Sequence, residues 1–172
     1  MDVSTAQGVL IALATIVAME GGAYASHRWI MHGPMWFWHE SHHRPRDGAF
    51  EKNDWFAVVG ALISIAFIFM GTQLKLGSAW TWLGVGVVGY GIVYFLFHDV
   101  LVHRRVPHSI VPGSKYLRRI VQAHRLHHVT ASREGSVSFG FIYAPPIPQL
   151  VAQLRAHREA GRGASHRSAI TR

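Results

Sequence analysis

The sequence predicts an all-α integral membrane protein: about three transmembrane helices, with a fourth left open, and a cytoplasmic helical cap. Three observations predict it. The apolar residues are gathered into blocks of membrane length. Histidines follow these blocks at helical spacings. Lys and Arg are nearly absent from one set of span ends and crowd the other. Composition agrees, since 49% of the 172 residues are hydrophobic, only 15% are charged, and mean hydropathy is +0.16.

The first block, Gln7 to Ala25, contains one charge, Glu20. It lacks a basic leader and a small-residue cleavage site, so it is read as a retained span rather than a secretory signal. The second block, Trp55 to Leu74, and the third, Ala79 to Phe97, contain no charge. Each has about the 20 residues that a helix needs to cross ~30 Å of hydrocarbon. Their glycines would weaken a soluble helix but are ordinary where membrane helices pack closely.

Between and after the spans the chain changes character. Pro34 interrupts one helix and starts another. Arg44-Pro45-Arg46-Asp47-Gly48 is a loop returning to the second span, and Pro107 and Pro112-Gly113 mark a turn. Ser114 to His128 has the pattern of a basic amphipathic helix lying at the membrane interface. Ala144 to Pro148 is expected to break helix and end the folded core. Residues 1–154 are thus expected to form the membrane-embedded domain, and 155–172 a basic, disordered tail.

The N-terminal tip has no Lys or Arg, and the loop after the second span has only Lys75. Arg28, Arg44, Arg46 and Lys52 lie on the other side, with the basic stretch after Val102. Positive charge marks the cytoplasmic side, so the N-terminus is expected outside and the C-terminus inside. The net charge of +8 is accounted for by this placement and by lipid headgroups, not by nucleic acid. With zero cysteines, disulfides, thiolate metal sites and an iron–sulfur cluster are excluded within the chain, and any electrons must come from a partner.

Ten of the 13 histidines fall into four boxes forming two matched pairs. His27 and His32 are followed by His39, His42 and His43; His98 and His103 are followed by His124, His127 and His128. Each pair is one H-x4-H box and one H-x2-H-H box after an apolar block. Neutral imidazole is the commonest protein metal ligand, and ten are too many for one ion. Residues three or four apart share a helix face. Adjacent histidines diverge by about 100° on an α-helix and five-apart histidines by about 140°. His42 and His43 are therefore expected to serve neighbouring ions, as are His127 and His128, and each H-x4-H pair is expected to flank the site and serve two ions. The expectation is a histidine-rich di-metal site in the cap, with about five imidazoles per ion drawn from both halves.

Glu40 and Asp99, inside boxes, are candidates to orient imidazole N–H groups. Glu20, Glu51, Asp54 and Glu134 are further candidates. His108, His157 and His166 fall outside the repeated spacing and are assigned no metal. The aromatic residues Trp36, Phe37, Trp38, Phe95, Phe97, Phe139, Phe141 and Tyr143 suit either an apolar substrate pocket or an interfacial belt and core.

The ordered set HRWIMH, HESHH, HDVLVH and HRLHH resembles the fatty acid hydroxylase superfamily of histidine-rich membrane di-iron enzymes. GAFEKNDWFAVV and REGSVSFGFIYAPP bring it nearest the bacterial β-carotene hydroxylase branch. The resemblance covers roughly residues 10 to 150. It implies two iron ions on the ten boxed histidines, O2 as co-substrate, and electrons from an external donor such as ferredoxin. It also implies C3 hydroxylation of the β-ionone rings of β-carotene, giving β-cryptoxanthin and zeaxanthin, in the bacterial inner membrane. Histidine spacing leaves open a fatty-acid or sterol hydroxylase or desaturase, or a carotenoid ketolase, of the same architecture. A membrane metal-binding or transport protein is the alternative of another class. Against that alternative, most boxed histidines lie at or beyond span ends rather than near the midplane.

Overall fold

Helices begin where the sequence supplies caps. In a computed structural model that describes residues 2–46 and 48–170, with side chains described as far as Gly161, the first helix, α1 (Thr5–Ala25), opens on a capping box. The Ser4 hydroxyl accepts from the Gln7 N–H at 3.4 Å, while the Gln7 carboxamide accepts from the Ser4 N–H at 3.0 Å. A second box joins Glu51 and Asp54 around the 3-10 turn Lys52–Asp54 and launches α3 (Trp55–Thr72). The helix α4 (Ser78–Tyr94) follows a short turn in which Gly77 takes φ 112°.

α4 packs between α1 and α3. Glycines let it approach both. A Cβ on Gly84 would lie 2.9 Å from the Ser64 carbonyl of α3, and one on Gly86 would lie 2.8 Å from the Ala12 carbonyl of α1. The Ser64 hydroxyl adds a 3.1 Å bond to the Gly84 carbonyl, as small-residue membrane interfaces do. Three stretches, Thr5–Met31, Lys52–Thr72 and Ser78–Val102, are long and apolar enough to cross a bilayer, and only 11%, 6% and 22% of their apolar windows are buried. So much exposed apolar surface is stable only against lipid, and the three expected spans are these.

The Val3 N–H donates to Ser78 Oγ and the Ser78 N–H to Asp2 Oδ1, both at 2.9 Å. The N-terminus and the α3–α4 turn therefore share one end of the bundle, and the histidine boxes gather at the other. There the first and third spans change winding. Ser26–Met31 continues α1, and Phe95–Val102 continues α4, as π-helix.

The cap is built from the short α2 (Trp36–His39), the 3-10 turn Glu40–His43, α5 (Lys115–His127) and α6 (Ile147–Ile170). α5 is capped by the Ser114 hydroxyl and turns Ile120, Val121, Ala123, His124 and His127 inward. The expected amphipathic helix is thus present, and its apolar face meets protein. Ile120 and Ala123 pack with Val137, Ala144, Leu150 and Leu154 in the cap's core.

α6 corrects one expectation. Ala144 to Pro148 was expected to end the folded core, yet Pro148 sits in the first turn of α6, where a missing N–H costs nothing. The Pro146 carbonyl accepts the Leu150 N–H at 3.2 Å. Leu150 is fully buried and Leu154 nearly so. Helical winding continues beyond Arg155 to Ile170. Met1, Asp47, Thr171 and Arg172 lie outside the described residues, as does the side chain of His166.

Candidate metal centre

All ten boxed histidines converge where the π-helical ends of the first and third spans meet α2, the Glu40–His43 turn and α5. Their Nε2 atoms face one another in two nests. In the first, His27 meets His39 at 3.1 Å, His32 meets His127 at 3.1 Å, and His43 meets His39 at 3.3 Å and His127 at 3.2 Å. In the second, His42 meets His98 at 2.9 Å, while His124 meets His103 at 3.0 Å and His128 at 2.9 Å. One ligand atom each from His27, His32, His39 and His127 lies within a 4.8 Å set, and the same holds for His42, His98, His103 and His124. The nests adjoin, since the His43 and His128 rings stack at 4.5 Å.

The π turns correct the expectation for the H-x4-H boxes. On an α-helix five-apart histidines would splay toward different ions. In the wider π turn the His32 N–H bonds the His27 carbonyl at 3.0 Å and the His103 N–H bonds that of His98 at 2.9 Å. This brings each pair onto one face, so His27 and His32 enter the first nest together and His98 and His103 the second. Local π segments of this sort are rare and concentrate at functional sites. The adjacent histidines do diverge as expected: His43 and His127 face the first nest, His42 and His128 the second.

A pseudo-symmetric exchange results. Each nest takes four imidazoles from its own half of the chain and the middle histidine of the H-x2-H-H box from the other half. That histidine is His127 in the first nest and His42 in the second.

The chemistry of the outward nitrogens decides what the nests can hold. His27, His32, His43 and His127 place Nδ1 at 2.8–3.0 Å from the carbonyls of Phe139, Arg133, Thr130 and Val137. A carbonyl only accepts, so each Nδ1 carries the proton and each Nε2 is a bare lone pair. His39 donates likewise to Asn53 Oδ1 at 2.7 Å, His42 to Glu51 at 3.0 Å and His98 to Asp99 at 2.8 Å. Lone pairs facing one another at about 3 Å repel unless a cation lies between them. Protons do not fill that place at neutral pH. Burial, with the neighbouring imidazoles, holds His39 down to about 3 and His128 to about 2. Burial holds His43 and His103 down to about 4 and lowers His42, His124 and His127 as well. Two nitrogens side by side on a metal bound at about 2.1 Å are about 3.0 Å apart. The residues fit a pair of metal ions.

Aromatic side chains close the site. Phe139 stands edge-on to His27, His32 and His127, Phe141 stacks on His27 at 5.6 Å, and Trp36 covers His32 and His43. Phe97 and Phe141 line a small apolar cavity beside His98 and His124, whereas Phe37, Phe95 and Tyr143 are exposed in belt fashion. Trp38 packs on Trp55 and Phe56. Of the histidines outside the boxes, His108 bonds the Val100 carbonyl at 2.7 Å and His157 the Gly135 carbonyl at 3.0 Å.

Among the candidate acids, Asp99 orients His98, but Glu40 departs from its expected place. It forms an exposed i,i+4 pair with Arg44 at 2.8 Å and touches no boxed histidine. Glu51 holds His42, and Asp54 takes a two-pronged clasp from Arg105 at 2.6 and 2.7 Å. Glu134 pairs with Arg133 at the surface. Glu20 anchors the loop that holds the site: its carboxylate accepts the N–H groups of Phe141 and Ile142 at 2.9 and 2.8 Å and the Tyr90 hydroxyl at 3.0 Å. Asn53 and the four carbonyl acceptors escaped the sequence reading, since backbone acceptors leave no residue-type signature. Ser138, between two of them, takes φ 61°, a strained setting for a serine that helps aim the neighbouring carbonyls.

The family model for fatty acid hydroxylases matches residues 12–145, which span all four boxes. A β-carotene hydroxylase of Pantoea ananas is 48% identical over 91% of this chain and 88% of its own length. One of Pseudescherichia vulneris is 53% identical over 85% of this chain and 82% of its own. A chloroplastic β-carotene 3-hydroxylase of Arabidopsis thaliana is 36% identical over 78% of this chain and 45% of its own. No solved structure matches. Because the family match contains every residue of both imidazole nests, and similarity to the bacterial proteins runs nearly from end to end, this chain belongs to the fatty acid hydroxylase family.

Proposed function

We propose that this chain is a membrane monooxygenase that hydroxylates β-carotene at C3 of its β-ionone rings, forming β-cryptoxanthin and then zeaxanthin. The observation that carries the reading is the pair of five-imidazole nests, bare lone pairs inward, under an aromatic cover at the end of the spans. The bacterial relatives' names supply the substrate. His27, His32, His39, His43 and His127 would hold one iron ion, and His42, His98, His103, His124 and His128 the other. Bound iron supplies the reduction of O2 and the attack on an unactivated C–H bond.

The chain's residues supply the rest. The Nδ1 acceptors fix the tautomer and angle of seven of the ten imidazoles, so most of the ligand set is assembled before the reaction. Phe139, Phe141 and Trp36 exclude water from the reacting face. In balance, the C3–H bond takes one atom of O2 and the other leaves as water. Two electrons arrive one at a time from a carrier of the ferredoxin class, and two protons come from water. The substrate is too apolar for water and enters laterally from the bilayer. The distribution of positive charge supports a topology with the histidine end of the bundle on the cytoplasmic side of the bacterial inner membrane and the N-terminus outside.

The test is expression of the chain in a β-carotene-accumulating bacterium, with the pigments separated and identified. Zeaxanthin and β-cryptoxanthin are expected. Unchanged β-carotene beside iron-loaded, membrane-inserted protein would refute the substrate, and a keto product would refute the reaction.

A further inference from the structure

The two nests are alike in their inner nitrogens and unlike in their outer ones. Every imidazole of the first nest is tied by Nδ1 to a neutral acceptor: four backbone carbonyls and the Asn53 carboxamide. The second nest is tied at only two places, both carboxylates: Glu51 on His42 and Asp99 on His98. Buried His124 leaves its Nδ1 with no hydrogen-bond partner, and His103 and His128 gain none from the described residues.

Access differs as well. A cavity of about 430 Å³ opens beside the centre, lined by His42, His43, His103 and His128 with Arg44 and Arg125. Three of its four imidazoles belong to the second nest. All five imidazoles of the first nest are buried, His27 and His127 beneath Phe139, whereas His103 and His128 of the second are only partly buried. Ligands held by second partners stay in place when a metal–nitrogen bond opens and recapture the ion, while untethered ones swing away.

Resting on the di-metal reading, we propose that the two positions differ in kind. The first, under Phe139, is a retained ion. The second is exchangeable through the Arg44–Arg125 cavity, and its hold on metal depends on Glu51 and Asp99 as positioning residues. Arg105 belongs to the same device. It donates to both carboxylate oxygens of Asp54, lies 3.7 Å from Asp99, and bonds the Ala49 carbonyl at 3.0 Å, fixing the segment that carries Glu51.

The experiment uses the full chain in detergent, loaded without oxygen with ferrous iron and challenged with a colorimetric ferrous chelator. Release is expected in two phases of one ion each. Glu51→Ala and Asp99→Ala should speed the fast phase about 10-fold or more and leave the slow phase unchanged, the range that loss of such partners produces. Asn53→Ala, which unties His39, should speed the slow phase alone. Release of both ions in one phase would overturn the inference, as would carboxylate variants that speed the slow phase or both phases equally. Helicity and a single gel-filtration peak qualify each variant, and two carboxylates with an opposing Asn53 arm leave the result independent of any one that misfolds. Fewer than two irons per chain before the chelator would instead overturn the di-metal reading.

Discussion

Glu20 is the one charge in the first apolar block, and the structure assigns it a load that can be weighed. One carboxylate oxygen receives the Phe141 and Ile142 N–H groups at 2.9 and 2.8 Å, with Tyr143 a longer third at 3.4 Å. The other receives the Tyr90 hydroxyl at 3.0 Å. Glu20→Ala strands three well-placed donors in a half-buried, water-poor setting, each costing about 1–3 kcal/mol. Because Ile142 and Tyr143 can relax toward the surface, the sum is placed at about 3–5 kcal/mol, a large share of the ~5–15 kcal/mol that stabilises a typical fold. At about 2–4 °C per kcal/mol for a chain of this size, the melting temperature should fall by roughly 10 °C. The loss has a functional address. The freed loop carries the Val137 and Phe139 carbonyls that hold His127 and His27, so iron content should fall too. Glu20→Gln keeps an acceptor oxygen and should lie between. Thermal unfolding by circular dichroism, with iron measured per chain, makes the comparison. A Glu20→Ala protein melting within about 2 °C of the parent with full iron would refute the anchor.

Two further outcomes follow from the nests. His127→Ala and His42→Ala each remove the ligand that crosses from the other half, and each should abolish hydroxylation and leave fewer than two irons per chain, measured by metal analysis of membrane-inserted protein. Full iron and full turnover in either would show that the exchange is not a ligand exchange. Metal-free protein should also lose stability on acidification. His39 is held down to about 3 and His43 and His103 to about 4 against an ordinary 6.5, so the unfolded chain takes up protons first. The stability is present above pH 6.5 and drains away as pH falls toward 4. Melting of chelator-treated protein at pH 8 and pH 5 tests this, and an equal or higher melting temperature at pH 5 would contradict it.

The parts legible in the sequence are those that a single physical length or angle controls. Bilayer thickness sets the spans, so Gln7 to Ala25, Trp55 to Leu74 and Ala79 to Phe97 announce themselves. The 100° step between neighbours on a helix separates His42 from His43 and His127 from His128 before any coordinates are seen. The same angle misleads at His27 and His32, because it presumes α winding where the chain makes a π turn, and no residue preference marks that change. Asn53 and Glu51 sit in a short polar run whose role depends on where Trp55 begins its helix, a tertiary matter. Pro146 and Pro148 illustrate a different ambiguity: proline stops a helix that precedes it and starts one that follows, and only the burial of Leu150 and Leu154 chooses between them.

The exchange between the halves is legible only in outline. The divergence of adjacent histidines already has each ion drawing on both halves of the chain, but local spacing cannot say which histidine crosses over. In the fold neither half completes a nest, because His127 finishes the set begun by His27 and His42 finishes the set begun by His98. Metal binding is therefore coupled to the docking of α5 onto the first span: any motion that parts the two halves opens both nests together. A pair of ions held this way fastens the cap to the spans at two points, so metal loading and the packing of the cap are coupled.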